Sequence, residues 1–414
     1  MRSISWRYHL LLALRFVPTG LMVTVFVLLL QDRGLTLAQI GLGTAAQGVV
    51  MLFLELPSGG LADALGRKPV VVLATVFSML ALSLLLVADS VVLLALACTL
   101  QGIFRALDSG PLQAWYIDSL LSRDPEVDIE PHLARAEVVV CSAIGTGALL
   151  GGLIVGRDGL FGITPLASPL LVALAVQALG LVCLIHLVDE ERPGRGWAAA
   201  RVAEVPSVVR GALGLIRSSR LLTALTIAEG LWGFGMVAFE TFLPPRMAEV
   251  SGGAEQAAAT LGPAITAAWV LSALGSAAAP GLVRRFGSGA AGFGLRLAHG
   301  VTVVAMGLAA GPAGLVVAYL GTYWVHGATN TVHYGMLHRA VDSSHRATVV
   351  SANSLTSQMG AALSGIALGL LADATSLTTA MLVAAAFLAA AAPLYLTGRS
   401  RRAADSAEPV ALDA

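Results

Sequence analysis

Long apolar runs alternate with short polar segments over most of the chain. The apolar runs are about 20 residues long, and a helix of that length rises about 30 Å, the thickness of the hydrocarbon core of a bilayer. The pattern predicts twelve membrane-spanning helices, which we number as spans 1 to 12 in chain order. Their predicted bounds are residues 9–30, 38–60, 70–88, 91–118, 135–156, 166–188, 221–243, 258–283, 289–310, 313–337, 348–371 and 377–397. The sequence therefore predicts an all-α membrane protein.

The longest polar segment between two spans divides the chain into two sets of six. This segment, residues 189–220, follows span 6. We expect one six-helix bundle in residues 1–188 and a second in 221–397, joined by this linker and followed by a disordered tail, 398–414. Part of the linker is amphipathic, and both a short helix on the membrane surface and a plain tether fit it. The first apolar run is too long for a signal peptide and contains Arg15, so we expect it to be span 1.

Composition restricts the classes of partner and chemistry. Hydrophobic residues make up 57% of the chain and charged residues only 12%, against roughly 25% charged in a soluble domain. The formal net charge is zero, so we expect no nucleic-acid partner. The three cysteines lie inside apolar runs, which argues against a disulfide framework. The sequence has no Walker, zinc-site or hydrolase motif, so we expect no enzymatic activity, no cofactor and no metal.

The distribution of basic residues predicts the orientation in the membrane. With the N-terminus inside, cytoplasmic segments carry nineteen Lys and Arg residues, whereas the outside segments carry only Arg33, Arg157 and Arg246. Lys and Arg concentrate in cytoplasmic loops of membrane proteins. The sequence therefore predicts a multi-pass protein of the cytoplasmic membrane with both termini in the cytoplasm.

A charged, glycine-rich segment separates spans 2 and 3, with the sequence LPSGGLADALGRKPV at residues 56–70. It contains the pattern G-x-L-A-D-x-x-G-R-K, formed by Gly59, Leu61, Ala62, Asp63, Gly66, Arg67 and Lys68. This pattern resembles the loop signature of the major facilitator superfamily. After span 8, the segment PGLVRRFG at 280–287 resembles a degenerate copy, with Arg284 at the acidic position. The resemblance implies a fold of two pseudo-symmetric six-helix bundles.

The resemblance also implies a gate at the cytoplasmic side. Asp63 would accept hydrogen bonds from the N-terminal amides of span 11, where the helix dipole favours an anion. Arg67 would pair with Asp118 at the cytoplasmic end of span 4, as in similar transporters. Such a cluster would hold the two halves together while the cavity faces outward. Alternatively, Arg67 and Lys68 serve only to keep the loop in the cytoplasm.

A second, partial resemblance lies in span 5. The segment GTGALLGG, residues 145–152, is similar to a G-P-x-x-G-G element associated with drug/proton antiporters of the superfamily, although Ala148 replaces the proline. Small residues at four-residue spacing are also common at contacts between membrane helices. Helix packing is the favoured interpretation of this segment.

Polar residues inside the apolar runs form two matching stripes. Such residues are costly in lipid and mark functional sites. In span 4 they are Gln101, Arg105 and Asp108, and in span 10 His326, Asn330 and His333. Each set lies on one helix face, and the resemblance implies that both spans line a central cavity. We expect Asp108 to be the proton-coupling carboxylate, with the histidines as further candidates. The alternative is that Arg105 and Asp108 form a static pair.

Other charged residues in the spans are assigned by their depth. Arg15 in span 1 and Glu55 in span 2 both lie near the cytoplasmic face, so we expect a structural ion pair between them. Glu229 lies deeper, in span 7, and is a second candidate for a proton site. Arg296 in span 9 is expected to extend towards the membrane surface. His299 has no assigned role.

These features favour a secondary transporter that exports small amphipathic organic molecules in exchange for protons. Proton-coupled import of a small metabolite is the first alternative. A scaffold or receptor that uses the same fold without transport is the second, and it has no need of paired polar stripes. In each case we expect a monomer that contacts the lipid bilayer.

Overall fold

The computed structural model describes most of the chain. The described residues are 2–108, 110–157, 160, 162–189, 214, 216–217, 219–341 and 346–399, and the side chains of residues 2–3, 55–64, 130, 346–348 and 398–399 lie outside the description. The predicted amphipathic segment of the linker and the predicted tail therefore fall outside it almost entirely. Within the described residues the chain forms helices and turns and has no strand.

Each predicted span corresponds to one helix or to two consecutive helices. The single helices are span 2 (Leu37–Leu65), span 3 (Arg67–Val87), span 5 (Glu130–Val155), span 6 (Ser168–Leu187), span 8 (Ala254–Phe286), span 9 (Ser288–Leu308), span 10 (Pro312–Arg339) and span 11 (Arg346–Ala374). The interrupted ones are span 1 (Arg2–Val23 and Phe26–Asp32), span 4 (Val91–Asp108 and Pro111–Leu121), span 7 (Arg220–Glu240 and Leu243–Ser251) and span 12 (Leu377–Ala390, then a 3₁₀ segment, Ala392–Arg399). Span 1 bends by 43° at its interruption.

Span 10 differs from the others in composition. Among the described residues, ten helices are long and apolar enough to cross a membrane, or eleven if the bent pair of span 1 counts as one. Span 10 is not among them although it is 28 residues long, because its three polar stripe residues and several Gly and Thr lower its mean hydropathy. It packs against spans 8 and 9. Hydropathy alone therefore does not identify this helix as a span, although its bounds agree with the predicted span 10.

The two sets of six spans pack by the same scheme. Span 1 contacts span 5 as span 7 contacts span 11, and span 2 contacts span 4 as span 8 contacts span 10. Glycines bring these helices into backbone contact, and in three of the crossings an added Cβ would overlap a carbonyl group: Gly20 with Ile144, Gly233 with Ser357, and Gly275 with Trp324. Small residues allow such close approach between membrane helices. That the two halves superpose as pseudo-symmetric bundles stays a prediction.

The two halves meet towards one face of the bundle. We call the face with Arg2 and Arg399 the terminal face, and the opposite face, where span 2 begins and span 11 ends, the distal face. Span 2 contacts span 11, and span 5 contacts span 8. A Cβ at Gly41 would overlap the carbonyl of Gly365, and one at Gly152 would lie 3.0 Å from the carbonyl oxygen of Ala258. All four residues lie in the distal half of their spans, so the structure is closed at the distal face.

Two of the three basic residues of the predicted outside segments complete helix ends at this face. Arg33 donates hydrogen bonds of 2.6–2.9 Å to the carbonyl oxygens of Leu85, Leu86 and Ala88 at the end of span 3. In the other half, Arg246 donates one of 2.8 Å to the carbonyl oxygen of Ala309, just past span 9. The last carbonyl groups of a helix have no intrahelical partner, and these arginines supply one.

Candidate functional site

A cavity of about 520 Å³ lies between the two halves. Spans 1 to 4 contribute its walls from the first half, and spans 7 and 11 contribute from the second. The walls are mostly apolar, with Met22, Phe26, Leu82, Trp232 and Met236 among the larger side chains. Polar groups are fewer, and include Gln47, Gln101, Arg105, Glu240, Ser357 and Gln358. The cavity thus combines apolar walls with a small number of charged and amide groups.

Two residues of the predicted span 4 stripe lie in this wall. Gln101 and Arg105 both line the cavity, and Arg105 is exposed there. Their positions agree with the expectation that span 4 borders a central cavity. The sequence placed them there because they follow each other at one-turn spacing on a single helix face.

Asp108 lies elsewhere. It is 7% exposed, does not line the cavity, and forms an ion pair with Arg15 of span 1. The helix of span 4 ends at Asp108, and Gly110 adopts a left-handed backbone with φ of +116°, so the chain changes direction there. The expected position of Asp108 in the cavity wall is therefore wrong, although the residue lies near the middle of span 4.

Arg15 has a partner that the sequence did not predict. Arg15 was assigned to Glu55 by depth, but the structure pairs it with Asp108, and its guanidinium lies 4.9 Å from the ring centre of Phe104. Depth limits which residues can meet, whereas the rotation of each helix about its axis decides which do. The Glu55 side chain itself lies outside the described residues, so the Arg15–Glu55 pair stays a prediction.

The span 10 stripe is divided between different surroundings. His333 is fully buried, His326 is partly buried and Asn330 is exposed. None of the three lines the cavity, so the expected match between the two stripes is wrong for span 10. The physical reason is that both histidines contact helices of their own half: His326 lies against spans 7 and 9, and His333 against spans 11 and 12.

His333 belongs to a buried polar network inside the second half. Its Nδ1 lies 2.7 Å from Tyr395 Oη, and its Nε2 lies 3.2 Å from Asn353 Nδ2. Arg296 donates hydrogen bonds of 3.0 and 3.2 Å to Tyr395 Oη. Glu229 Oε2 lies 3.4 Å from His333 Nε2 and 3.6 Å from Arg296 Nη2. Five spans thus bring two opposite charges and three polar groups together.

Two assignments made from the sequence change here. Arg296 is 2% exposed and paired with Glu229, so the expectation that it extends to the membrane surface is wrong. An ionised side chain buried at this depth needs a partner, and Glu229, itself 3% exposed, supplies it. The position of Arg296, eight residues into span 9 and about 12 Å along the helix, is a signal in the sequence that this residue is buried. Asn353 and Tyr395 were missed, since polar and aromatic residues near span ends look like interfacial anchors.

A layer of aromatic rings connects this network to the cavity. The His326 ring stacks on Trp232, with ring centres 5.4 Å apart, and Trp232 lines the cavity. Trp232 is three residues from Glu229, one helical turn away on the same face of span 7. The ring centre of His299 lies 6.0 Å from that of His326. Neither ring nitrogen of His299 has a hydrogen-bond partner among the described residues. A movement of Trp232 at the cavity wall would therefore take place one helical turn from the buried carboxylate of Glu229.

The loop between spans 2 and 3 contains part of the predicted gate. Gly66 has a φ of +92°, and span 3 begins directly after it. Arg67 Nη1 lies 2.7 Å from Asp118 Oδ2, so the predicted pair is present. Lys68 follows in the first turn of span 3. The side chains of residues 55–64, including that of Asp63, lie outside the described residues, so the contact of Asp63 with span 11 and its gating role stay predictions, as does the role of Gly59.

The degenerate copy makes the same turn in the second half. Gly287 has a φ of +78° and, like Gly66, is followed at once by the next helix. Only glycine adopts such a backbone without strain. The turn explains why the glycine persists in the copy although the acidic position does not.

The glycines of span 5 serve helix packing. A Cβ at Gly147 would overlap the carbonyl oxygen of Val17 in span 1, and one at Gly152 would lie 3.1 Å from Gly262 in span 8. Thr266 Oγ1 of span 8 donates a hydrogen bond of 2.8 Å to the carbonyl oxygen of Gly145. These contacts agree with the packing interpretation of residues 145–152.

Comparison with known proteins gives two positive findings. A family model of the Major Facilitator Superfamily matches residues 9–327. The fold is similar to the crystal structure of the nucleoside transporter NupG, with 14% identity, a TM-score of 0.76, and coverage of 95% of this chain and 98% of that one. It is also similar to a bacterial homologue of the human lysosomal transporter Spinster in an inward-facing, unoccupied conformation, with 16% identity, a TM-score of 0.74 and coverage of 95% of each chain. No curated protein matches the chain.

Proposed function

The chain belongs to the Major Facilitator Superfamily of secondary transporters, and we propose that it exports small amphipathic organic molecules in exchange for protons. The cavity between the halves is the observation that carries this proposal. Its volume of about 520 Å³ falls within the roughly 300–1,000 Å³ of small-molecule sites. Because both halves supply its walls, a movement of one half against the other would change every contact of a bound molecule, as alternating access requires.

The lining indicates the chemistry of the substrate. An apolar body would cover Met22, Phe26 and Trp232, where burial of apolar surface is favourable. A few polar groups on the substrate would meet Gln101 and Arg105. Such a molecule is amphipathic. A strongly hydrophilic molecule would lose hydrogen bonds to water that the mostly apolar walls do not replace.

Glu229 is our first candidate for the proton-coupling group. Its nearest cationic and imidazole neighbours, Arg296 and His333, lie 3.6 and 3.4 Å away, so it is not held in a short ion pair. Small shifts of either neighbour would change how strongly Glu229 binds a proton. Trp232 links it to the cavity wall, which gives substrate binding a route to this equilibrium. Asp108 is the second candidate. We rank it below Glu229 because its ion pair with Arg15 must break before the carboxylate can be protonated.

The direction of transport is argued from the resemblance of residues 145–152 to the antiporter element. A gradient experiment tests direction separately from substrate. In proteoliposomes, an acidic interior drives substrate accumulation by a proton exchanger in either orientation of the protein, whereas an alkaline interior drives accumulation by a symporter. We propose to measure accumulation of a panel of amphipathic dyes and antibiotics under both gradients, together with proton flux.

The proton site is tested with matched variants. We expect Glu229→Gln to lose substrate accumulation driven by the proton gradient. The variant should still move substrate down the substrate's own concentration gradient. Glu255→Gln, the same change at an exposed position at the start of span 8, should behave like the unmodified protein. Loss in Asp108→Asn alone would move the site to span 4, and loss in neither variant would contradict proton coupling through these residues. Accumulation with an alkaline interior would establish import, and no substrate movement under either gradient would favour the scaffold.

A further inference from the structure

Spans 2 and 11 run antiparallel and meet at the distal face, where Asp373 of span 11 contacts the first turn of span 2. Its Oδ1 accepts a hydrogen bond of 3.1 Å from the amide of Leu37, and its Oδ2 accepts one of 2.9 Å from the amide of Ala38. The carboxylate of one half therefore caps a helix of the other half. Carboxylates at a helix N-terminus also interact favourably with the helix dipole.

Span 2 leaves these two amides free by its own sequence. Thr36 and Gln39 form a reciprocal capping box, in which Thr36 Oγ1 accepts from the Gln39 amide at 3.3 Å and Gln39 Oε1 accepts from the Thr36 amide at 3.0 Å. The amides of Leu37 and Ala38, the first two of the helix, have no partner within span 2. Asp373 supplies the acceptor for both, so the end of span 2 is complete only when the halves are together.

The segment before Asp373 is shaped for this contact. A Cβ at Gly369 would lie 2.8 Å from both the nitrogen and the Cα of Ala38. Gly369 is one turn before Asp373 and on the same helix face. The glycine lets the two backbones meet, and the aspartate one turn later then reaches the amides.

The same sequence ends both helices of this pair. Residues 59–64 of span 2 are GGLADA, and residues 369–374 of span 11 are GLLADA. Asp63 and Asp373 occupy the same position, each four residues after a glycine. Because the two helices are antiparallel, the end of span 2 that carries Asp63 lies towards the same face as the start of span 11, as Asp373 lies towards the same face as the start of span 2.

We propose that Asp373 is a distal latch, the counterpart of Asp63 at the opposite face. The Asp373 latch stabilises the distal-closed state, and the Asp63 contact with the start of span 11 stabilises the state closed at the terminal face. Rupture of one and formation of the other accompany each change of access. The proposal rests on alternating access as part of the proposed function, and it is independent of the substrate, the coupling ion and the direction of transport.

The test measures the conformational equilibrium without substrate or gradient. Nitroxide labels are placed at Asp89→Cys, in the loop after span 3, and at Ala313→Cys, in the first turn of span 10, after replacement of the three native cysteines by alanine. Both positions are exposed at the distal face, one in each half. Pulsed electron resonance distances in nanodiscs then give the ratio of distal-open to distal-closed molecules. Thermal unfolding of each variant separates a shift of this ratio from a loss of the fold.

We expect Asp373→Asn to raise the open-to-closed ratio by about 2- to 13-fold, because the amide keeps one acceptor oxygen for two backbone amides and loses the charge, so that one hydrogen bond is lost. Asp32→Asn, the same change at another exposed acidic residue of the distal face, should leave it unchanged. Asp63→Asn should lower the ratio, and the double variant should lie between the two. An Asp373→Asn ratio equal to that of Asp32→Asn would overturn the latch. A ratio raised by Asp63→Asn would overturn its pairing with Asp63.

Because no substrate is present, a wrong choice of substrate or ion would not alter these outcomes. If the transport experiments fail but Asp373→Asn shifts the open-to-closed ratio, only the proposed substrate and coupling ion are contradicted. A transporter that couples as proposed but shows no Asp373 effect would contradict the latch alone.

Discussion

Replacement of Gly369 by alanine tests whether the distal contact between spans 2 and 11 controls the conformation. The added Cβ would lie 2.8 Å from three backbone atoms of span 2, the nitrogen and Cα of Ala38 and the carbonyl oxygen of Leu37. Ordinary contacts of a Cβ begin near 3.4 Å. Backbone atoms cannot rotate away as side chains do, so the two helices must separate by about 0.6 Å. We expect the distal-closed state to be destabilised.

The magnitude follows from the cost of overpacking. Forcing one methyl group into a close-packed contact costs about 1–3 kcal/mol, which changes an equilibrium constant by about 5- to 150-fold. The separation would also lengthen the hydrogen bonds of Asp373, one turn further along span 11. Because the clash lies between the two halves, the molecule can relieve it by opening at the distal face. The fold itself should keep its stability.

Two control variants carry the same chemical change. A Cβ at Gly300 would lie 2.9 Å from the carbonyl oxygen of Ala385, but both residues belong to the second half, so no change of access relieves that clash. A Cβ at Gly48 would lie 3.7 Å from Ala362 Cβ of the other half, which is an ordinary contact. All three substitutions remove a helical glycine and gain the same helix propensity.

The assay combines the label pair at residues 89 and 313 with thermal unfolding in detergent. We expect Gly369→Ala to increase the distal-open population at an unchanged unfolding temperature. Gly300→Ala should lower the unfolding temperature and leave the distance distribution unchanged, and Gly48→Ala should change neither. The reasoning is refuted if Gly369→Ala remains distal-closed, or if Gly300→Ala opens the distal face to the same extent.

Three further predictions concern stability, gating and orientation. Arg33→Ala removes the hydrogen bonds to the end of span 3, so we expect a loss of about 1.5–3 kcal/mol in the free energy of unfolding. Arg33→Lys should restore only part of this loss, because an ammonium cannot match the planar guanidinium. An unfolding temperature of Arg33→Ala equal to that of the unmodified protein would contradict this. Asp63→Asn and Arg67→Gln should slow transport and leave equilibrium substrate binding intact, since the motif between spans 2 and 3 is expected to act on the gate and not on bound substrate; full transport at normal expression would remove the gating interpretation. Cysteines at Arg67 and Arg285 should react with an impermeant reagent only from the cytoplasmic side, and labelling of either from outside would reverse the predicted orientation.

Properties that depend on local order along the chain were predictable from the sequence. The span bounds follow from runs of apolar residues, and most observed helices end within a few residues of the prediction. The turns at Gly66 and Gly287 follow from a short motif and its copy. Gln101 and Arg105 were placed correctly because a single helix face carries both.

The partners of the buried charges were decided by tertiary structure. Arg15 pairs with Asp108, and Arg296 with Glu229, across spans distant in the sequence. The hydropathy of a span fixes its approximate depth, but it contains almost no information about rotation around the helix axis, because lipid-facing and protein-facing sides of these spans are both apolar.

That rotation is set by contacts between backbones. Gly233 against Ser357 and Gly275 against Trp324 fix how spans 7, 8, 10 and 11 face each other, and this turns His333 away from the cavity and towards Glu229. The order of apolar and polar residues along the chain therefore predicts the helices, their order and the motif at residues 59–68. Tertiary structure decided which charges meet, because a contact of glycine with a distant carbonyl group depends on both helices at once and on neither sequence alone.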